Sequence, residues 1–194
     1  AERALMMANI DGCQHGVWTY ASDISAHRYS IQWTGDIHAD EDDLAQEIYT
    51  TIFGGAEVGI PYISSDLGGH NQKVTNELYG RWFQYGALSA ICRVHCMKNM
   101  SGQPGRMPWI YGETAEGIAH TYQDMRYRLL PLYYDLARQN YDTGLPVIRR
   151  LDIAYPQYAE ASRNDEYLLG DYILIAPIST AEKGEDGVVS DTRT

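Results

Sequence analysis

Residues able to do proton or charge chemistry stand at one recurring kind of place in this chain, just after a short apolar run. Asn9 follows "ALMMA", Asp36 follows "RYSIQWTG", Asp66 follows "IPYISS", and Arg93 and His95 end "ALSAICRVH". The stretch "WTGDIHAD" is the densest case, with the indole of Trp33 just ahead of Asp36 and more carboxylates behind. Two readings of these aspartates are open. One is a carboxyl group held at a strand end beside a flat apolar wall. The other is a helix start, because the positive end of a helix dipole favours acidic side chains. Asp40, Glu41, Asp42 and Asp43 suit the second reading and Asp36 the first. "CRVHC" offers the thiols of Cys92 and Cys96 and an imidazole, but no fourth ligand at matching spacing. No metal and no cofactor are expected.

The elements that would position these groups follow from periodicity. Strands are expected at 4–8, 28–33, 60–64 and 87–95. Leu44, Ile48 and Ile52 recur at helical spacing behind the acidic cluster, and "GGAEVG" ends that helix. A second helix is expected over 76–86 with Leu78, Trp82 and Tyr85 inward. A third should run over 115–140 with Ile118, Tyr122, Met125, Leu129, Leu132 and Leu136 inward, kinked at Pro131. Strand and helix in alternation predict a parallel α/β sheet, and the chemically capable side chains fall at the strands' C-terminal ends. In a (β/α) barrel the site is built there by the βα loops. Beyond residue 145 the rhythm changes to strand-like "PVIRRLDIAY" and "DYILIAP", the expected opening of a separate β domain. The expected division is 1–144 and 145–194.

Bulk properties narrow the partners. With 194 residues and a net charge of -11, the chain can bury a real core but has no concentration of Lys and Arg for nucleic acid. Its 16 tyrosines and four tryptophans supply rings with polar tips, which suit a ligand that is half apolar and half wet, as sugars are. No apolar run is long enough to span a bilayer. The N-terminus "AERALMMAN" does not read as a secretion signal, and secreted, periplasmic and cytoplasmic locations all stay open.

"RYSIQWTGD", "GIPYISSDLGGH", "RWFQYGALSAICRVH", "PW..G", "RYRLLPLYYDLARQNYDTGLPVIRRL" and "YLLGDYILIAPI" come in an order and spacing that resemble glycoside hydrolase family 31. That family holds α-glucosidases, α-xylosidases and α-galactosidases. The resemblance implies the second half of a (β/α)8 TIM-type barrel, followed by the start of a β-sandwich domain. It implies that Asp36 is the general acid/base. Trp33, Arg93 and His95 would line the subsite of the cleaved sugar, Asp66 would support the site, and His70 would reach toward the aglycone. An apolar neighbour such as Trp33 would raise the Asp36 carboxyl so that it stays protonated at working pH.

Two departures qualify the picture. A retaining glycosidase needs a second carboxylate about 5 Å from the acid. The family carries it in a W-x-D-x-N-E type stretch, and no such stretch occurs here. The chain is therefore expected to be the C-terminal part of a catalytic barrel, inactive alone. Its expected partners are a carbohydrate substrate, the remainder of the same polypeptide and, through open strand edges, further copies of itself. Asn9 stands where family α-glucosidases have arginine, and "CQHGVWTYASDISA" reads as an insertion. Both leave α-glucosides and α-galactosides open. Transglycosylases, α-glucan lyases and non-catalytic carbohydrate-binding members are the alternatives.

Overall fold

The structure, a computed structural model, describes residues 7–9, 31–57, 60–97, 105–180, 182–183 and 189–190. For 7–9, 54–57, 182–183 and 189–190 it describes the backbone alone. Three short strands, β1 (Met7–Asn9), β2 (Ile31–Trp33) and β3 (Ile63–Ser64), pair in parallel and in chain order. Helix α1 (Glu41–Glu57) follows β2, and α2 (Asn76–Ala87) follows β3. Each helix starts as its sequence dictates. The Asp40 carboxylate accepts the Asp43 N–H at 2.8 Å, and the Thr75 hydroxyl accepts the Leu78 N–H at 3.2 Å, both N-cap bonds. Leu44, Ile48 and Ile52 of α1 and Leu78, Trp82 and Tyr85 of α2 are all buried, as their spacing predicts.

The fourth expected strand does not form as such. Ala87 is still helical, and Leu88 and Ser89 close the helix by donating their N–H groups to Tyr85 O and Gly86 O. The carbonyls that a neighbouring strand would have used are taken by one guanidinium. Arg126 donates to Ala87 O, Ser89 O and Ala90 O at 2.8, 2.8 and 3.0 Å. What survives of strand pairing is a single parallel bridge between Leu67 and Val94, with the Leu67 N–H on Arg93 O at 3.1 Å. The chain through Arg93 and His95 thus still lies beside the end of β3.

The long third helix is two helices, α3 (Gly112–Arg128) and α4 (Leu130–Thr143), meeting at Leu129. Pro131 has no N–H to carry the helical ladder through, so the break falls beside it. Most of the expected inward stripe holds, with Leu136 buried and Tyr122, Leu129 and Leu132 packed half-buried against the core, and Met125 is the exception. Ala115 and Ala119 are also buried, Arg126 faces the C-terminal end of α2, and Met125 is 40% exposed.

Beyond α4 the chain forms β4 (Ile148–Arg149), α5 (Leu151–Ala154), β5 (Tyr167–Leu169) and β6 (Ile173–Ile175). The strands β4, β5 and β6 make an antiparallel sheet, and β7 (Glu182–Lys183) pairs antiparallel with β8 (Val189–Ser190). Val147, Ile148, Tyr167 and Leu169 are buried in the same apolar cluster as Leu44, Trp82 and Leu136. Among the described residues no helix is long and apolar enough to cross a membrane.

Candidate active site

The register of the parallel sheet puts Asn9, Trp33 and Ser64 in one row at its C-terminal edge. The side chain of Asn9 lies outside the described residues, as does the expected insertion over 13–26. After Trp33 the backbone turns at Gly35, whose φ of 93° is open to glycine at little cost. Asp36 follows directly, with its side chain 35% exposed.

Two loops lock together to hold it. The Ile37 carbonyl accepts both the His70 and the Asn71 N–H at 2.9 Å, and Asn71 Nδ2 donates to the Asp36 carbonyl at 2.9 Å. Gly69 makes this approach possible. A Cβ there would sit 2.5 Å from Ala39 Cα and from the His38 carbonyl oxygen, and its φ is +75°. From the other side the buried Arg106 grips the same loop, donating to Gly69 O at 2.8 Å and to Gln72 O at 2.7 Å. His70 is thereby set with Nδ1 3.6 Å from Asp36 Oδ1.

Around this pair stands a wall of rings and charge. The His95 and His70 rings meet Trp33 edge-on at 5.9 and 6.4 Å, and each other at 5.1 Å. The Arg93 guanidinium lies 5.5 Å from the centre of the Trp33 ring. Burial, and the neighbouring Arg93 and His70, hold the His95 imidazole below its ordinary value, which favours the neutral ring.

The polar edge of Trp33 is committed to Asp66. Its indole N–H is donated to Asp66 Oδ1 at 2.9 Å, and Arg93 Nη2 donates to the same oxygen. Asp66 is fully buried, and burial pushes its carboxyl up to about 7 against the pull of Arg93 and Trp33. The carboxyl raised beside the indole is therefore Asp66. Asp36 is the partly open one.

Asp66, His70 and His95 each present one potential metal-ligand atom, all within 4.8 Å of one another. The Arg93 guanidinium already engages Asp66 there, so a cation would meet an adjacent positive charge. The second such group, His38, Asp40 and Asp43, is committed to starting α1.

The structure thus brings together Trp33, Asp36, Asp66, His70, Arg93 and His95. Sequence reasoning missed Asn71, Arg106, Thr34 and Glu47. The Glu47 carboxyl is buried and accepts the Thr34 hydroxyl proton at 2.7 Å. Glu47 carried a readable signal, a charged residue on the apolar stripe between Leu44 and Ile48. Arg106 and Asn71 act through contacts distant along the chain and carried none.

Parallel strands in chain order, helices after β2 and β3, and titratable side chains gathered at the strands' C-terminal ends are the arrangement of a (β/α)-barrel scaffold. The model of the glycosyl hydrolases family 31 TIM-barrel domain matches residues 8–136, and the chain belongs to that family. It is 34% identical over 173 residues to α-glucosidase 2 of Bacillus thermoamyloliquefaciens, covering 88% of this chain and 21% of that protein. The crystal structure of a GH31 α-xylosidase from a soil metagenome, complexed with xylose, superposes with a TM-score of 0.70 at 29% identity, over 77% of this chain and 25% of that one. The cycloalternan-forming enzyme from Listeria monocytogenes, in complex with a pentasaccharide substrate, gives 0.73 at 28% identity, over 77% and 15%. The chain spans only a minor part of each of these relatives.

Proposed function

We propose that this chain carries the acid/base side of the site of a retaining, exo-acting α-glycosidase that removes terminal α-linked sugars. The observation that carries the reading is Asp36 itself. It is a partly open carboxyl just past the end of a parallel strand, beside His70 and near enough to His95 to act on its imidazole. Asp36 gives its proton to the glycosidic oxygen as the bond to the leaving group breaks. A nucleophilic carboxylate takes the anomeric carbon, forming a covalent glycosyl-enzyme. Asp36 then removes a proton from the water that hydrolyses it. Trp33, His95 and Arg93 line the subsite of the cleaved sugar, His70 faces the aglycone, Asn9 lies on the rim, and Asp66 supports the site through Arg93 and Trp33. The nucleophile comes from the remainder of a longer polypeptide, of which this chain is the second half of the barrel (1–144) and the start of a β-sandwich domain (145–194).

Relatives support α-glucosides and α-xylosides as substrates. The similarity to the cycloalternan-forming enzyme favours one second reading, in which a sugar hydroxyl replaces water as acceptor. The test is Asp36→Asn in the polypeptide that carries this chain. Turnover of unactivated α-glycosides should fall about 10²- to 10⁴-fold. Aryl glycosides with good leaving groups should lose far less in the first step. Equal losses for good and poor leaving groups would remove Asp36 from the acid role.

A further inference from the structure

Glu47 is a buried acid that the chemistry above does not use. It is 2% exposed and lies on the inner stripe of α1. Its Oε2 accepts from Thr34 Oγ1 at 2.7 Å, and the Ser65 side chain lies beside the same carboxyl and favours its charged form. Ser65 Oγ is in turn held by the Trp82 indole N–H at 3.3 Å. Thr34 lies two residues before Asp36, and Ser65 immediately precedes Asp66. One side chain thus bridges the ends of β2 and β3 directly behind the two carboxyls of the site.

We propose that Glu47 is a positioning residue, a buried clamp that joins the ends of β2 and β3 and so sets Asp36 against Asp66. The proposal rests on the reading of Asp36 as acid/base. The ionisable groups that face Glu47 among the described residues are Asp66 at the end of β3, Asp43 one turn earlier on α1, and Tyr85 of α2, whose hydroxyl donates to the Glu47 carbonyl at 3.2 Å. Burial pushes the Glu47 carboxyl up to about 8, opposed by the Thr34 and Ser65 hydroxyls and aided by the charges of Asp66 and Asp43. Arg93 and Trp33 oppose such a rise at Asp66 and so favour the charge there. A carboxyl that ionises here puts two negative charges behind the strand ends and pushes them apart.

Two variants in the polypeptide that carries this chain decide the matter, Glu47→Gln and Glu47→Ala, each read by kcat against pH and by thermal midpoint against pH. Alanine removes the clamp, and kcat should fall about tenfold or more with KM changing less, as expected for a misplaced catalytic group. Glutamine keeps the shape and accepts the same Thr34 hydroxyl proton but cannot ionise. It should rescue kcat at neutral pH and extend activity above the alkaline limb of the wild type. The stability arm has a definite sign. Folding raises the Glu47 value, so its stabilising share is full below 4.5 and is lost as pH rises through about 8. The wild-type midpoint should therefore fall relative to Glu47→Gln between those values. Parallel pH profiles for wild type and Glu47→Gln would overturn the proposal, as would wild-type kcat in Glu47→Ala. If wild type itself shows no turnover, the glycosidase reading fails, and the midpoint comparison still judges whether Glu47 is uncharged in the fold.

Discussion

Asp36 and Asp66 end neighbouring strands, and their surroundings separate them. Asp66 is sealed, with Oδ1 held by Trp33 and Arg93 and Oδ2 without a hydrogen-bond partner among the described residues. Asp36 keeps a third of its side chain in solvent and has an imidazole at its side. Arg93 is the cation that makes a buried Asp66 charge tolerable. Replacing it with methionine should destabilise the fold by about 3 kcal/mol near pH 8, as expected when one partner of a buried ion pair is removed. The sign with pH follows. The Asp66 carboxyl is already raised from 3.8 to about 7, and losing Arg93 raises it further. The stability difference between wild type and Arg93→Met should therefore shrink as pH falls and the carboxyl takes up its proton. Urea denaturation at pH 5 and pH 8 measures it, and a difference that grows on acidification would contradict the assignment.

Among the secondary elements, the site depends on two βα loops that touch backbone to backbone. The tightest approach is at Gly69, where both the left-handed φ and the 2.5 Å distance to the Ala39 segment exclude a side chain. Gly69→Ala should cost about 2 kcal/mol or more, through strain and a backbone clash. It should also shift His70 and Asn71, lowering kcat more than a distant substitution of equal cost. Gly117 is the contrasting case within α3, with nothing within 4 Å of an added Cβ. Gly117→Ala should stabilise by about 0.5–1 kcal/mol, because alanine loses less backbone freedom in a helix. Thermal denaturation of the two variants should move in opposite directions. A midpoint for Gly69→Ala that is unchanged or raised would mean that the loop contact is looser than described.

For the molecule as a whole, our proposal is that the catalytic centre is shared with sequence outside this chain. Among the described residues the site holds Asp36 and Asp66, and Asp66 is fully buried and tied to Arg93 and Trp33. A covalent glycosyl-enzyme needs a carboxylate able to reach the anomeric carbon. The 194-residue chain expressed alone is therefore expected to give no turnover of aryl α-glucosides or α-galactosides. Unpaired strand edges favour pairing with other chains. Light scattering should accordingly report a mass above the 21.9 kDa of one copy. A stable monomer with turnover would place the nucleophile within these residues and overturn the shared-site reading.

The order of strands and helices over the first two βα units was legible because it is written in local repeats. Apolar runs of strand length end at Asn9, Asp36 and Asp66, and α1 and α2 keep their hydrophobic faces at helical spacing. The N-cap role of the acidic cluster was legible for the same reason, since Asp40 and Asp43 are three residues apart. Where a distant group competes for the backbone, local patterns misread the chain. The carbonyls of residues 87, 89 and 90 bond to Arg126, some 36 residues away or more, and the expected strand becomes one bridge. Pro131 announced a disturbance, but whether the helix bends or breaks depends on what packs beside it. The site followed the same division. Which side chains stand at strand ends could be read along the chain. Which carboxyl is sealed and which is open depends on the fold. Burial and charge pairing are set by contacts such as Trp33 to Asp66 and Glu47 to Thr34, between residues that sequence spacing does not bring together.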